Sequence, residues 1–164
     1  MKPSFSELKR NHSSSTIGSP DFVESEDFYA SIGYDKGKLG TQFENTCAAR
    51  MSVALIKSGV KFKGRLLPIK EGKWKGWSIE TGAKNLADIL SQPAVFGQPK
   101  IWRDPAKFQA ELGKKRGVVF FWKIDGYSGG SGSHIDLIEP TSAGAICHSH
   151  CYFTCKQIWF WELR

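Results

Sequence analysis

The segment Asn45–Met51, which reads NTCAARM, sets a cysteine at the start of a predicted helix. Asn45 or Thr46 can cap that helix, and the apolar residues that follow Cys47 continue it as a buried segment ending at Gly59. Unpaired backbone N–H groups and the positive end of the helix dipole favour an anion in a first turn. The pattern therefore predicts a helix whose first turn presents Cys47.

A thiol at a helix start is only half of a nucleophilic site. Attack on a carbonyl requires the thiolate, and a free cysteine is only a few per cent ionised at neutral pH. The helix dipole contributes roughly 0.3–1 kcal/mol, which lowers a thiol pKa by less than about one unit. We therefore expect a basic side chain that accepts the proton of Cys47. The alternative is that Cys47 is a small buried core residue.

The best candidate for that base is His134. The apolar run Val118–Trp122 and the run His134–Ile138 are predicted to be two strands joined by a glycine-rich loop. Because side chains alternate along a strand, His134 and Asp136 are expected on one face. A thiol at a helix start with a distant histidine on a strand is the arrangement of papain-like hydrolases. A hydrogen-bonded structural histidine is the alternative.

Four segments occur in an order that is shared with a known family. They are Lys2–Phe5 (KPSF), Asn45–Ser52 (NTCAARMS), His134–Leu137 (HIDL) and Gln157–Leu163 (QIWFWEL). With these segments the chain resembles the fourth family of type VI secretion amidase effectors, bacterial toxins that cut the peptide stems of the cell wall. The resemblance implies one papain-like (NlpC-type) cysteine hydrolase domain of the α+β class over residues 1–164, with N-terminal helices packed on an antiparallel sheet.

The resemblance also implies the roles of the reacting groups. Cys47 would be the nucleophile, and His134 would be the general base and acid. The backbone N–H of Cys47, at the helix start, is well placed to help hold an oxyanion. By analogy with papain-like enzymes, Gln42 is a candidate for a second oxyanion donor, although a glutamine in a loop is more often a solvated residue.

The family's third catalytic residue, usually an aspartate, lies between two cysteines in a loop after the histidine strand. Here that loop is residues 147–151, CHSHC, so Ser149 occupies the position. A serine accepts a hydrogen bond but carries no charge to stabilise an imidazolium. Asp136, His148 or a backbone carbonyl is the alternative group to orient the ring of His134.

The remaining cysteines, Cys147, Cys151 and Cys155, lie in this loop or just after it, and they can form a disulfide, stay as free thiols or bind a metal. The even spacing of Cys147, Cys151 and Cys155, with histidines between them, is superficially that of a metal cluster, but the only distant cysteine is Cys47. The family loop implies a disulfide between Cys147 and Cys151, which an oxidising periplasm permits, and leaves Cys155 as a buried free thiol. Unpaired thiols and a metal site are the alternatives. No metal or cofactor is expected.

Substrate, partners and location follow from the resemblance alone. The implied substrate is the γ-D-glutamyl–meso-diaminopimelate bond of peptidoglycan stems, which makes the protein a DL-endopeptidase. A dedicated immunity protein is expected to occlude the cleft in the producing strain. We expect a protein made in the cytoplasm, exported by the type VI secretion apparatus and active in the periplasm of the target cell.

Composition is consistent with this hypothesis and leaves one alternative open. A chain of 164 residues with 40% hydrophobic residues suits one folded domain. It has no apolar run of membrane-spanning length, and its first eight residues lack the apolar core of a signal peptide. The net charge of +7 would attract carboxylate-rich stems. Lysines beside Trp74 and Trp77 also suit a binding domain for nucleic acid or cell-wall glycan that performs no catalysis.

Further elements are predicted from periodicity and from helix start and stop residues. The remaining helices are expected at residues 1–12, Asp27–Ile32, Gly82–Leu90 and Pro105–Leu112, and the strands near 117–124, 133–139, 143–147 and 157–163. Aromatic residues alternate along the last strand, so we expect it to be covered on both faces.

Overall fold

The computed structural model describes residues 1–164 and belongs to the α+β class. Its helices are α1 (Phe5–Asn11), α2 (Ser25–Ser31), α3 (Cys47–Lys57), α4 (Ala83–Leu90) and α5 (Pro105–Leu112). Its strands are β1 (Leu67–Pro68), β2 (Ser78–Ile79), β3 (Lys100–Trp102), β4 (Arg116–Ile124), β5 (His134–Thr141), β6 (Gly144–Cys147) and β7 (Cys155–Leu163). The predicted helices and the four long strands are confirmed to within a few residues.

Five strands form one antiparallel sheet in the order β3-β7-β4-β5-β6. The central strand β4 sets the register, because Val119 pairs with Phe160 of β7 on one side and with Asp136 of β5 on the other. Sequence analysis missed the edge strand β3. Only three residues long and half exposed, it carries no apolar alternation that would reveal it.

The sheet is covered on both faces. Val118 and Phe120 of β4 point to the face that packs against α1, α3 and α4, together with Trp161 of β7. Val119 and Phe121 point to the opposite face, which packs against α5 together with Phe160 of β7. Phe160 and Trp161 therefore pack against opposite layers, which confirms the prediction that the last strand is covered on each face.

The helix α3 is buried along nearly its whole length, since every residue from Cys47 to Ile56 is buried. Ala48, Met51 and Leu55 pack against the sheet. The other side of the helix packs against α2 and the small β1–β2 hairpin through Ala49, Val53 and Ile56. A helix with apolar residues on both of these sides must be enclosed in this way. Enclosure on two sides fixes where the first turn of α3, and hence Cys47, lies relative to the sheet.

The two ends of the chain meet beside this core. The N–H of Phe5 donates a hydrogen bond of 2.6 Å to the carbonyl of Arg164, and Phe5 is buried against the sheet. The two resembling segments at the termini are therefore neighbours in space. The longest helix is the eleven-residue α3, and none of the helices combines the length and the hydropathy of a membrane span.

We predict that Gly117→Ala destabilises the protein strongly. A Cβ at Gly117 would lie 2.0 Å from the carbonyl oxygen of Trp161 on the neighbouring strand, so the β4–β7 pairing must shift. The free energy of unfolding, measured by urea denaturation, should fall by about 1–3 kcal/mol or more. Lys156→Ala, at an exposed position of β7, is the control and should change stability by less than about 0.5 kcal/mol. Equal stabilities would contradict the register.

Candidate active site

Cys47 is the first residue of α3, and both predicted capping residues have a defined partner. Asn45 supplies the cap, because its Oδ1 accepts a hydrogen bond of 3.2 Å from the Cys47 N–H. Thr46 occupies the N-cap position, but its hydroxyl accepts instead from Nε of Arg50, at 2.7 Å. Cys47 is 7% exposed, so its thiol is largely but not fully enclosed.

His134 opens strand β5 and is held from one side by a carboxylate. Its Nε2 lies 2.9 Å from Oδ2 of Asp136, two residues along the same strand. The predicted sharing of one face is thus observed, and the ring of Phe121 on the neighbouring strand stacks beside the imidazole. With Nε2 engaged, Nδ1 is the ring nitrogen that is left for another partner.

The thiol and the imidazole line the same open cleft, which has a volume of about 260 Å³. The cleft is formed by Ser15, Ser25, Glu44, Asn45, Thr46, Cys47, Tyr127, His134, His150 and Tyr152. Cys47 and His134 come from elements that are far apart in sequence, and packing of α3 against β5 brings them together. Both side chains border a space that solvent reaches.

The neighbours of His134 favour its protonated form. Burial disfavours a charged ring, but hydrogen bonding to Asp136 and to Cys47, and the negative charge of both groups, outweigh it and raise the pKa of His134 to about 10. Because the negative charge of Cys47 is among these causes, the protonated ring is favoured once the thiol proton has been transferred to it.

Asp136 is fully buried and is anchored by backbone amides. Its two oxygens accept hydrogen bonds from the N–H groups of Leu137, Ser149 and His150, at 2.8 to 3.2 Å. Burial alone would raise the pKa of this carboxyl. The bond to His134, the charge of the nearby rings and the amide of His150 reverse that effect and lower the pKa below its usual value. Asp136 is therefore an anion fixed behind the imidazole.

Ser149 reaches the site through its backbone and not through its side chain. Its N–H donates to Asp136, whereas its hydroxyl accepts a hydrogen bond of 3.1 Å from the N–H of Ser15. His148, another candidate, is bonded to Asp21 and His12 and not to the ring of His134. Of the groups considered from the sequence, Asp136 is the one that the structure brings to the imidazole.

A disulfide between Cys147 and Cys151 closes the loop that supplies the two amides to Asp136, as the family resemblance implied. Cys155 is a free thiol, although it is half-buried and not fully buried as expected. Its burial raises the pKa of the thiol to about 11. No group of three or more His, Cys, Asp or Glu side chains is arranged to hold a metal ion.

The two oxyanion candidates differ in position. Gln42 lies on the exposed turn Thr41–Phe43 and does not line the cleft, so the structure does not bring it to the site. The N–H of Cys47 is at the site, but in this state it is bonded to Asn45. Nδ2 of Asn45 in turn donates a hydrogen bond of 2.6 Å to the hydroxyl of Tyr127.

Sequence analysis missed two tyrosines and one histidine at this site. Tyr127 and Tyr152 form an aromatic wall of the cleft, and the Tyr152 ring lies 5.1 Å from that of His134. His12 is buried behind the site, with its Nδ1 2.6 Å from Nδ1 of His148. Burial, together with the nearby cations of Arg50 and His134, lowers the pKa of His12 to about 3. No local pattern distinguishes these residues, because each lies in or beside an irregular segment.

Fold and site together define a class of protein. It is an α+β protein in which a thiol on a helix and an imidazole on a strand line one cleft, and a buried carboxylate is bonded to the imidazole. A family model described as type VI secretion system amidase effector protein 4 (Tae4) matches residues 43–161, which include Cys47, His134 and Asp136. The chain belongs to this Tae4 family, which confirms the resemblance seen in the sequence.

Solved structures of Tae4 proteins share the fold. The effector in a Tae4–Tai4 effector–immunity complex from Salmonella Typhimurium is 24% identical, with a TM-score of 0.70 and full coverage of both chains. Tae4 from Enterobacter cloacae is 21% identical, with a TM-score of 0.66 over 100% of this chain and 98% of that one. A third structure pairs the Salmonella effector with the Enterobacter immunity protein Tai4, at 24% identity and a TM-score of 0.69. No curated protein sequence matches the chain.

We predict that His12 weakens the fold in acid. Its folded-state pKa lies below the ordinary value of 6.5, so the unfolded chain binds a proton that the folded chain excludes. Stability should therefore fall as the pH drops from about 6.5 towards 3, with this residue adding up to about 1.4 kcal/mol per pH unit. In His12→Gln, the free energy of unfolding measured by urea titration should depend less steeply on pH over this range. His150→Gln, at an exposed position, should keep the wild-type slope, and equal slopes for all three proteins would contradict the assignment.

Proposed function

We propose that the chain is an antibacterial peptidoglycan amidase that works by cysteine catalysis. The single observation that carries the proposal is that Cys47 and His134 line one open cleft while the buried Asp136 is bonded to the ring of His134. Cys47 is the nucleophile, His134 is the general base and acid, and Asp136 orients the ring and stabilises its charged form. In this proposal residues 1–164 act as one catalytic domain of the papain-like, NlpC type.

The reaction begins with transfer of the thiol proton to the ring. Nδ1 of His134 takes the proton of Cys47, and the buried anion of Asp136 at Nε2 stabilises the imidazolium that results. The thiolate then attacks the carbonyl carbon of the scissile amide and forms a tetrahedral intermediate. The position of Cys47 at the start of α3 favours the anion by a further, smaller amount.

The oxyanion of that intermediate needs a donor. The N–H of Cys47 donates a hydrogen bond to Oδ1 of Asn45 in the structure. When the substrate oxygen displaces Oδ1, the same N–H donates to the oxyanion. The imidazolium of His134 protonates the leaving amine, and the amine departs. A water molecule, deprotonated by the same ring, then hydrolyses the acyl-enzyme and regenerates the thiol.

The bond cut in this proposal is the γ-D-glutamyl–meso-diaminopimelate bond of peptide stems. Membership of the Tae4 family supports an amidase that acts on the cell wall. The net charge of +7 suits a substrate rich in carboxylates. Delivery by the type VI secretion apparatus into the periplasm of a target cell follows from the same membership, and the disulfide of the CHSHC loop suits that oxidising compartment.

An immunity protein is the expected protein partner. Several of the similar structures are described as complexes of a Tae4 effector with an immunity protein Tai4. We propose that a protein of that kind protects the producing strain by covering the cleft that contains Cys47.

One surface favours a second candidate, a wall-binding domain without catalysis. Trp77 is 38% exposed beside Lys63 and Lys75 in a shallow depression, and the ammonium groups of Lys57 and Lys73 lie over the ring of Trp74. Aromatic rings flanked by cations suit an anionic polymer. This candidate requires no role for Cys47, so one substitution separates it from the amidase.

We predict that the purified protein releases peptide fragments from sacculi and that Cys47→Ala abolishes the release. Mass spectrometry of the fragments should show a new γ-D-glutamyl carboxyl group and a new diaminopimelate amino group. Cys155→Ala is the matched control, because this thiol is free but lies outside the cleft, and it should keep the wild-type rate. Digestion by Cys47→Ala at the wild-type rate would refute cysteine catalysis. Binding to sacculi without digestion by the wild type would favour the second candidate.

A second comparison separates the two candidates for the third residue. Asp136→Asn should lower kcat/KM about 10²–10⁴-fold, because it removes the charge that stabilises the imidazolium. Ser149→Ala keeps the backbone N–H that anchors Asp136 and loses only a hydroxyl that accepts from Ser15, so its kcat/KM should stay within about threefold of wild type. The reverse pattern would assign the role to Ser149.

A further inference from the structure

Arg50 is a buried cation without a carboxylate. It lies one helical turn beyond Cys47 on α3 and is 2% exposed. Its guanidinium donates to the hydroxyl of Thr46 at 2.7 Å, the carbonyl of Ser14 at 3.0 Å and the hydroxyl of Ser13 at 3.2 Å. All of these acceptors are neutral, and none of the ion pairs of the protein includes Arg50.

A buried charge is costly unless an opposite charge compensates for it. Burial lowers the pKa of the Arg50 guanidinium, yet arginine stays protonated in proteins at neutral pH. The neighbouring groups that can become negative and so raise that pKa are two, Tyr29 and Cys47. The Tyr29 hydroxyl donates to the carbonyl of Phe43 at 2.8 Å, and burial raises its pKa to about 12, so it is neutral. Of the two groups, only Cys47 can supply a negative charge.

The guanidinium lies directly beneath the cleft. Thr46 and Ser25 both line the cleft, and Ser25 accepts a longer hydrogen bond of 3.5 Å from Arg50. The segment that carries Ser13 and Ser14 covers Arg50 on the side away from the helix. Arg50 is thus shielded from solvent and from substrate, and its charge is screened less than that of a surface residue.

We propose that Arg50 is a positioning residue that stabilises the thiolate of Cys47 from beneath the cleft. The inference rests on the proposed function, because it assigns a counter-charge to the nucleophile of that reaction. The guanidinium of Arg50 is bonded to Thr46, the residue before Cys47, and Asp136 is bonded to the ring of His134. A cation behind the sulfur and an anion behind the ring both favour movement of the proton from Cys47 to His134.

A purely structural role predicts something different. As a tether, Arg50 would join α3 to residues 13 and 14 and would affect stability alone. As a counter-charge, it must also change the pH at which Cys47 becomes nucleophilic. The rate of alkylation of Cys47 by iodoacetamide, measured from about pH 5 to pH 10, reports the thiolate directly. The Cys155→Ala background removes the other free thiol from the measurement.

In that background, Arg50→Met should move the midpoint of the alkylation profile upward by at least about one pH unit, since the opposite charge is lost. Arg50→Lys retains a positive charge, so its alkylation midpoint should lie close to that of the protein with Arg50. Lys57→Met removes a cation from the exposed end of the same helix and should leave the profile unchanged. Thr46→Val keeps the shape of the side chain but removes the acceptor for Nε of Arg50, so it should cause a smaller upward shift. If Arg50→Met does not fold, the alkylation midpoint of Thr46→Val tests the role of Arg50 instead.

The outcomes distinguish this inference from the proposed function. Fast, His134-dependent alkylation of the wild type, with unchanged midpoints in Arg50→Met and Thr46→Val, would overturn the role of Arg50 and leave the amidase proposal standing. If Arg50→Met does not fold, an unchanged midpoint in Thr46→Val alone overturns it. Slow alkylation of the wild type that His134→Ala does not alter would overturn both. A shift in Arg50→Met with recovery in Arg50→Lys supports the counter-charge.

Discussion

The buried carboxylate of Asp136 is the constraint on which the site depends. It accepts hydrogen bonds from the ring of His134 and from the backbone N–H groups of Leu137, Ser149 and His150. An anion excluded from water must find such donors, and these come from strand β5 and from the loop that the disulfide closes. The strand, the disulfide-closed loop and the imidazole are therefore held in one arrangement by a single side chain.

The site is assembled between layers that are packed for other reasons. Helix α3 is enclosed by the sheet on one side and by α2 with the β1–β2 hairpin on the other. That enclosure brings the first turn of α3 to the start of β5, so Cys47 and His134 border one cleft. Hydrophobic packing holds the thiol and the imidazole in place, whereas the hydrogen bonds of the polar groups orient the ring.

The position of the third residue shows how backbone and side chain can exchange roles. The loop between the two cysteines carries Ser149 at the position where the family resemblance implies an aspartate, and this loop contributes backbone amides to Asp136. The negative charge comes from Asp136 on the strand itself. The sequence predicted that Asp136 and His134 lie on one face of the strand, but it did not predict the backbone amides that are bonded to Asp136.

The sequence alone determined the features that depend on local pattern. These are the helix that starts at Cys47, the strand alternation that puts His134 and Asp136 on one face, and the long strands of the sheet. The edge strand β3, the burial of His12 and Arg50, and the aromatic wall of the cleft were decided only by tertiary structure. The physical reason is desolvation. Whether a polar or charged residue loses its water depends on segments that are remote along the chain, and no local pattern records which segments will cover it.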